Sequence, residues 1–256
     1  MDPKRVRAVS FDLWDTVFAD DSDEPKRTAA GLPPKPQARR ELVHEALLRS
    51  GPIERAVVDC AYDVTDAAFR HVWHVQHVTW SVAERLGVLL AGLGRSLPEG
   101  ELAGLARAHE EMELDPRPDL VPGAADAIGV LAGKYRLVVI SDAIFSPGWA
   151  LRKLLAAYGL AERFSGFVFS DEVGASKPAP ELFHRAAELA GCEIEQLVHV
   201  GDREANDIAG PRAAGARSIL LTACKDRGSD ATRADAICDD YAALPAIIDS
   251  LSRERP

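Results

Sequence analysis

The stretch Val6–Thr16 reads VRAVSFDLWDT, and it decides the fold. Its first part, Val6–Phe11, is mostly apolar and predicts a buried β-strand. The strand ends at Asp12, where a turn is expected to begin. Because α/β proteins place ligands and catalytic groups at the carboxyl ends of parallel strands, Asp12 is a candidate nucleophile.

Three later segments also bring polar side chains to predicted strand ends or helix starts. These segments are Val138–Asp142 (VVISD), Gly174–Pro178 (GASKP) and Leu197–Asp207 (LVHVGDREAND). The first ends in Ser141 and Asp142, and the second carries Lys177 just before a predicted helix. The third carries two acids, Asp202 and Asp207, after an apolar run. Polar groups at several strand ends indicate one shared site.

In this order, the four segments resemble the motifs of the haloacid dehalogenase superfamily of phosphatases and related hydrolases. The resemblance covers roughly residues 6–18 and 120–222. It implies that Asp12 attacks phosphorus and forms an aspartyl-phosphate. It also implies that Lys177 pairs with this nucleophile and with the phosphate. Ser141 is expected to donate its hydroxyl to a phosphate oxygen.

The resemblance further implies a Mg²⁺ cofactor. Its expected ligands are Asp12, Asp202, the backbone carbonyl of residue Trp14, and Asp207 directly or through water. Mg²⁺ takes few carboxylates and keeps several waters, which suits an open phosphate site. The side chains expected to contact substrate are Trp14, Thr16, Ser141, Asp142, Lys177 and His74.

Trp14 departs from the family pattern. The usual first motif is Asp-x-Asp-x-Thr, whereas this chain has Asp12-Leu-Trp14-Asp15-Thr16. In the related phosphatases, the second Asp protonates the leaving group and later activates water. An indole can do neither, because its N–H only donates a hydrogen bond. Asp15 stands one position too late to be an obvious substitute.

Three functions stay open at this point. The first is a Mg²⁺-dependent hydrolase of a small phosphorylated metabolite with an altered acid–base step. The second is a metal-independent hydrolase that attacks carbon, as dehalogenases with an aromatic residue at this place do. The third is a non-catalytic relative that binds a ligand or a partner. The retained pair Asp202 and Asp207 favours the first, since the dehalogenases lack the paired acids.

Two regions with different periodicity predict the domain organisation. Residues 1–17 and 120–256 alternate apolar runs with helical periods, which indicates a Rossmann-like parallel sheet as the hydrolase core. Residues 18–119 predict an inserted α-helical cap. Within it, residues 20–37 are polar, contain four prolines and predict a mobile loop. Ser81–Glu84 and Ser96–Glu99 each fit a capping box at a helix start.

The segment Phe69–Trp80, FRHVWHVQHVTW, is the candidate source of a replacement acid or base in the cap. Histidine titrates near neutral pH and can serve as either. The three histidines of this segment are His71, His74 and His77. A spacing of three residues covers a broad helical face, so these side chains need not converge. An aromatic, partly buried cap helix is the simpler interpretation.

Composition limits the partners. The net charge of −10 and the pI of about 5.2 argue against nucleic acid or an anionic membrane as the main partner. The four cysteines, Cys60, Cys192, Cys224 and Cys238, lack CxxC spacing and are expected to be reduced. The start of the chain shows no export signal, so we expect a cytoplasmic location. The oligomeric state is left open.

Overall fold

The computed structural model describes residues 5–252, and its centre is a six-stranded parallel sheet. The strands are β1 (Ala8–Phe11), β2 (Arg136–Ser141), β3 (Gly166–Phe169), β4 (Leu197–Gly201), β5 (Arg217–Leu221) and β6 (Ala236–Cys238). Their order is β3-β2-β1-β4-β5-β6. The chain therefore builds outward on one side of β1 and then crosses to the other. Such a reversal opens a crevice at the carboxyl ends of the central strands.

Strand β1 occupies the middle of the sheet, and all four of its residues are buried. Phe11 lies opposite Val139 of β2 and Val200 of β4. The backbone N–H of Asp12 continues the ladder by donating to the carbonyl of Val200 at 2.9 Å. Parallel strands buried on both faces carry nearly continuous apolar runs, which explains why this segment could be identified from its sequence.

Helices cover both faces of the sheet. One face packs against α6 (Ala124–Ala132), α7 (Gly148–Ala157) and α11 (Leu244–Leu251). The other packs against α9 (Pro180–Ala190) and α10 (Gly210–Ala214), while the short α8 (Ser170–Val173) follows β3. The predicted α/β, Rossmann-like class is confirmed. The described helices include none that is long and apolar enough to cross a membrane.

In the sequence, five α-helices follow β1 and precede α6 as an insertion. They are α1 (Glu24–Ala29), α2 (Lys35–Arg49), α3 (Arg55–His71), α4 (Val82–Gly92) and α5 (Glu99–Glu110). Helices α2 to α5 enclose an apolar cluster of their own that includes Leu47, Tyr62 and Leu86. The division into a core (residues 1–17 and 120–256) and a cap (residues 18–119) stays a prediction, and residues 1–4 and 253–256 lie outside the described part.

The chain passes between the core and these helices at two adjacent points. Phe18 forms an antiparallel bridge with Leu120, and the N–H of Ala19 donates to the carbonyl of Asp119 at 2.9 Å. These paired crossings hold the outgoing and the returning chain side by side. The position of the segment that follows Ala19 is therefore set by backbone hydrogen bonds.

The prediction of a mobile loop over residues 20–37 was wrong. This segment contains α1 and the first turn of α2. Lys35 is buried, and its ammonium lies 2.7 Å from the carboxylate of Asp23 and 3.5 Å from that of Glu113. This buried ion pair fixes a segment that has no apolar periodicity. The sequence pattern therefore did not indicate that the segment is ordered.

Two other local predictions had different outcomes. The capping box of Ser81 with Glu84 is confirmed at the start of α4. The one proposed for Ser96–Glu99 is wrong, because Pro98 is the N-cap residue of α5 and no side chain caps that helix. Asp207 lies in a π-helical segment, Glu204–Ala209, which is followed by α10.

The buried Tyr241 supports the turn after β1, since its hydroxyl donates to the carbonyl of Thr16 at 2.7 Å. Tyr241→Phe should lower the free energy of unfolding by about 1–3 kcal/mol, because it leaves that carbonyl without a partner. Urea denaturation measures the change. Tyr62→Phe is the matched control, since no hydrogen bond of the Tyr62 hydroxyl is found among the described residues. Equal losses in both variants would contradict the assignment.

Candidate active site

Lys177 is the charge centre of the site. Its ammonium lies 2.6 Å from one oxygen of Asp12 and 2.6 Å from one oxygen of Asp207, and all three residues are buried. Burial alone would lower the pKa of Lys177. The carboxylates of Asp12, Asp207 and Asp142 outweigh burial and raise that pKa well above its usual range. Lys177 therefore keeps its positive charge beside Asp12.

Asp207 is held from three sides. One oxygen accepts hydrogen bonds from Lys177 and from Nε2 of His199 at 3.1 Å, and the other accepts from the N–H of Arg203 at 3.0 Å. Burial would raise the pKa of Asp207, but Lys177 and His199 hold it well below its usual range. The ring of His199 is fixed in turn by the hydroxyl of Ser10 at 2.9 Å.

Asp12 stands at the end of β1 with one oxygen uncommitted. Lys177 donates to Oδ1, while the hydrogen bond that Oδ2 accepts from the described residues comes from the hydroxyl of Thr16 at 3.5 Å, which is long for such a bond. The carboxylate thus combines an adjacent cation with a free oxygen. A nucleophile that approaches an anionic centre needs both.

Ser141 and Asp142 follow from the end of β2. The hydroxyl of Ser141 is buried and has no hydrogen-bond partner among the described residues. Asp142 accepts from the N–H of Lys177 at 2.9 Å, from Nε1 of Trp73 at 3.2 Å and from the amide of Asn206 at 3.3 Å. Burial, with Asp12 and Asp207 adding to it, raises the pKa of Asp142 to about 6.

Three carboxylates could hold a metal ion. Asp12, Asp202 and Asp207 each offer an oxygen, and these oxygens lie within 4.8 Å of one another. Oδ1 of Asp202 is buried without a hydrogen-bond partner among the described residues. Burial and the neighbouring carboxylates of Asp12 and Asp207 raise the pKa of Asp202 to about 7. A set of oxygen donors with an orphaned buried atom fits a Mg²⁺ ion.

A cavity of about 250 Å³ opens beside these groups. Its polar lining includes Asp12, Asp20, Glu113, Asp142, Ser146, Lys177, Arg203 and Asn206. Its apolar lining consists of Trp14, Trp73, Ile144 and Phe145. Both tryptophans give the cavity a partly aromatic wall, while Asp12 and Lys177 mark its reactive end.

Comparison with known proteins agrees with this geometry. A family model described as haloacid dehalogenase-like hydrolase matches residues 6–215. The chain belongs to this family. The hydrolase is 25% identical to the glyceraldehyde 3-phosphate phosphatase of Methanopyrus kandleri, over 84% of each protein. It is 31% identical to the phosphoglycolate phosphatase of Rhodospirillum rubrum, over 64% of this chain and 71% of the relative.

Solved structures show the same fold. The 2-haloacid dehalogenase from Pseudomonas syringae pv. Tomato DC3000 superposes with a TM-score of 0.69 at 23% identity. The superposition covers 96% of this chain and 99% of the dehalogenase. Since phosphatases and a dehalogenase both resemble this hydrolase, its reaction has to be argued from its own side chains.

The structure does not bring every candidate residue into the cavity. His74 is exposed and is not among the described residues that line it, and its predicted contact with substrate stays a prediction. The regular helix ends at His71, and a π-helical segment, Val72–Gln76, turns Trp73 toward Asp142 instead. Thr16 and Ser141 are both buried, and neither is among the described residues that line the cavity.

Sequence reasoning missed two basic residues after β5. Arg227 contacts the carboxylates of both Asp15 and Asp202 at 2.5 Å, and Lys225 lies 2.9 Å from Asp15. Asp15 has a φ of +54°, a left-handed conformation that Asp adopts more readily than most residues. The signal was available, because Lys225 and Arg227 follow an apolar strand at the same edge of the sheet.

Because Gly201 has no side chain, the carboxylate of Asp207 can pack directly against its backbone. A Cβ at this position would lie 2.4 Å from Cγ of Asp207, so Gly201→Ala must displace that carboxylate. We expect a loss of about 1–3 kcal/mol in the free energy of unfolding. Gly129→Ala, in α6 with nothing within 4 Å of the added Cβ, is the matched control and should be neutral or stabilising. Indistinguishable denaturation curves would contradict the predicted contact.

Proposed function

We propose that this hydrolase is a Mg²⁺-dependent phosphatase that acts on a small phosphorylated molecule through Asp12. The observation that carries the proposal is the arrangement around Lys177. One cation holds the candidate nucleophile, and a cluster of carboxylates able to hold a divalent ion lies beside it. The cavity next to this arrangement is of a size that suits a small substrate.

Charge balance explains why both cations are needed. An ionised Asp12 and a phosphate dianion repel each other, so the site needs positive charge near the reacting atoms. Lys177 supplies one part of it. When bound, Mg²⁺ would supply the rest by neutralising negative charge on the phosphate oxygens. The orphaned hydroxyl of Ser141 is free to donate a hydrogen bond to one of these oxygens.

The free oxygens also indicate how the ion would be held. Oδ2 of Asp12 and Oδ1 of Asp202 carry no strong hydrogen bond from the described residues. Both oxygens of Asp207 accept hydrogen bonds, which favours a role through water for this residue. The backbone carbonyl of Trp14 completes the proposed ligand set, since a backbone ligand does not depend on the side chain.

The alternative is a metal-independent hydrolase that attacks carbon. The superposition on a 2-haloacid dehalogenase and the aromatic Trp14 both favour it. Against it stands the buried set of Asp12, Asp202 and Asp207, which a metal-independent enzyme would not need. The names of the two phosphatase relatives also support the first function. The cytoplasmic location and the exclusion of nucleic-acid and membrane partners stay predictions.

Asp12→Asn should lower turnover of an aryl phosphate by at least about a thousandfold, because an amide cannot form the acyl-phosphate. Initial rates with p-nitrophenyl phosphate measure the loss, and circular dichroism confirms that the variant folds. Asp63→Asn removes an acid from the exposed surface and serves as the control. Full activity in a folded Asp12→Asn protein would refute the proposed nucleophile.

Asp202→Ala should weaken Mg²⁺ binding by at least about tenfold, because it removes a carboxylate ligand from the cluster. Titration calorimetry without substrate measures the affinity, so the result does not depend on activity. Asp126→Ala, at an exposed position of α6, is the control for the change in net charge. Equal affinities, together with turnover that a chelator leaves intact, would favour the carbon-attacking alternative.

A further inference from the structure

Four carboxyl groups line the cavity, and their surroundings differ. Asp12 lies against the ammonium of Lys177, and Asp142 accepts hydrogen bonds from three N–H donors. Donors of this kind favour the ionised form of a carboxyl group. Burial raises the pKa of both groups, but Asp12 is tied to Lys177 and both oxygens of Asp142 are occupied by donors, so these two groups hold other groups in place.

The other two are Glu113 and Asp20. Glu113 accepts from the hydroxyl of Ser146 and lies within 4 Å of the cations of Lys35 and Arg39. The side chain of Asp20 makes no hydrogen bond and no ion pair with any described residue. Of the four, Asp20 is the carboxyl group whose surroundings do not require it to be ionised.

The position of Asp20 is fixed although its side chain is free. Its N–H donates to a carboxylate oxygen of Asp15 at 3.1 Å. The preceding residue, Ala19, is paired through its backbone with Asp119 at the paired crossings. The hydrogen bonds at Asp20 and at the residue before it thus hold the carboxyl group at the cavity, as a group that transfers protons has to be held.

Electrostatics bring the pKa of this group close to neutral pH. Burial raises the pKa of Asp20 to about 6, and the carboxylates of Asp21, Glu113 and Asp15 add to it, while Lys35 opposes it. A general acid works best when its pKa lies near the pH at which it operates. Trp14, at the place where related phosphatases carry their acid, has no proton to exchange.

We infer that Asp20 is the catalytic acid and base of this enzyme, in place of the carboxyl group that Trp14 has replaced. The inference rests on the proposed phosphatase function and adds to it the source of the proton. It assigns a catalytic residue eight positions after the nucleophile, on the segment that leads into the helical insertion.

The reaction consists of formation and then hydrolysis of the aspartyl-phosphate, and each step transfers one proton. In the first, Asp12 forms a bond to phosphorus, the bond from phosphorus to the ester oxygen breaks, and that oxygen takes the proton of Asp20 to leave as an alcohol. In the second, the ionised Asp20 takes a proton from water, whose oxygen attacks phosphorus. The bond to Asp12 then breaks, and phosphate leaves with both carboxyl groups in their initial states.

The test compares two substrates whose leaving groups differ in their need for a proton. Alkyl alcohols are poor leaving groups and need the proton, whereas p-nitrophenol does not. For Asp20→Asn, we expect kcat/KM to fall by about 10²–10⁴-fold with β-glycerol phosphate and by less than about tenfold with p-nitrophenyl phosphate. This parameter covers only the steps up to release of the alcohol, so it isolates the first proton transfer.

Two further measurements separate a catalytic from a structural role. Loss of the base slows the second step, so Asp20→Asn should show a burst of p-nitrophenol equal to the enzyme concentration. In the wild type, kcat/KM for the alkyl ester should fall as the pH rises through about 6, and the variant should lose this limb. Asp63→Asn removes an exposed carboxylate that does not act on Asp20 and should change neither result.

Stability provides a readout that is independent of activity. Because folding raises the pKa of Asp20 from 3.8 to about 6, the folded state loses stability as the pH rises between these two values, and the full loss is present above about pH 6. Asp20→Asn should therefore raise the melting temperature at pH 8 and have a smaller effect at pH 5. Equal losses with both esters and no burst would overturn the inference while leaving the phosphatase function intact. If Asp12→Asn keeps full activity, both proposals fail.

Discussion

The site depends on a single buried ammonium that two carboxylates share. Without Lys177, Asp12 and Asp207 would face each other as uncompensated charges in a buried environment, which costs several kcal/mol. With it, one carboxylate is held as a support and the other keeps an oxygen free. The same residue is tied through its backbone N–H to Asp142. One cation therefore sets the spacing among groups from three different strand ends.

The helical insertion completes this arrangement through a few polar contacts. The indole of Trp73 donates to Asp142, and the carbonyl of His77 accepts from the N–H of Ser176, next to Lys177, at 2.7 Å. Asp142 binds the backbone N–H of Lys177, and Ser176 precedes Lys177 in the chain, so both contacts involve residues that position Lys177. The position of the insertion is thereby linked to the geometry at Asp12.

The sheet and the charged centre could be predicted because each element has a short-range signal. Asp12, Lys177 and Asp202 follow apolar strands or precede a helix, and parallel strands bring such positions to one edge. Trp73 could not be placed, because a π-helical segment interrupts the helix that its spacing suggested. Asp20 gave no signal either. Its environment is created by a buried ion pair and by paired crossings far apart in sequence, which no local pattern records.

The paired crossings also bear on how such a protein can evolve. Phe18 and Ala19 lie in register with Leu120 and Asp119, so an inserted or deleted residue before Ala19 would turn every following side chain to the opposite side. Beyond the crossings, the insertion meets the rest of the chain through separate hydrogen bonds such as those of Trp73 and His77 rather than through a paired register. Helices can therefore be gained, lost or exchanged between these two points, and the substrate range can change, while the distance along the chain from Asp12 to the crossings stays the same.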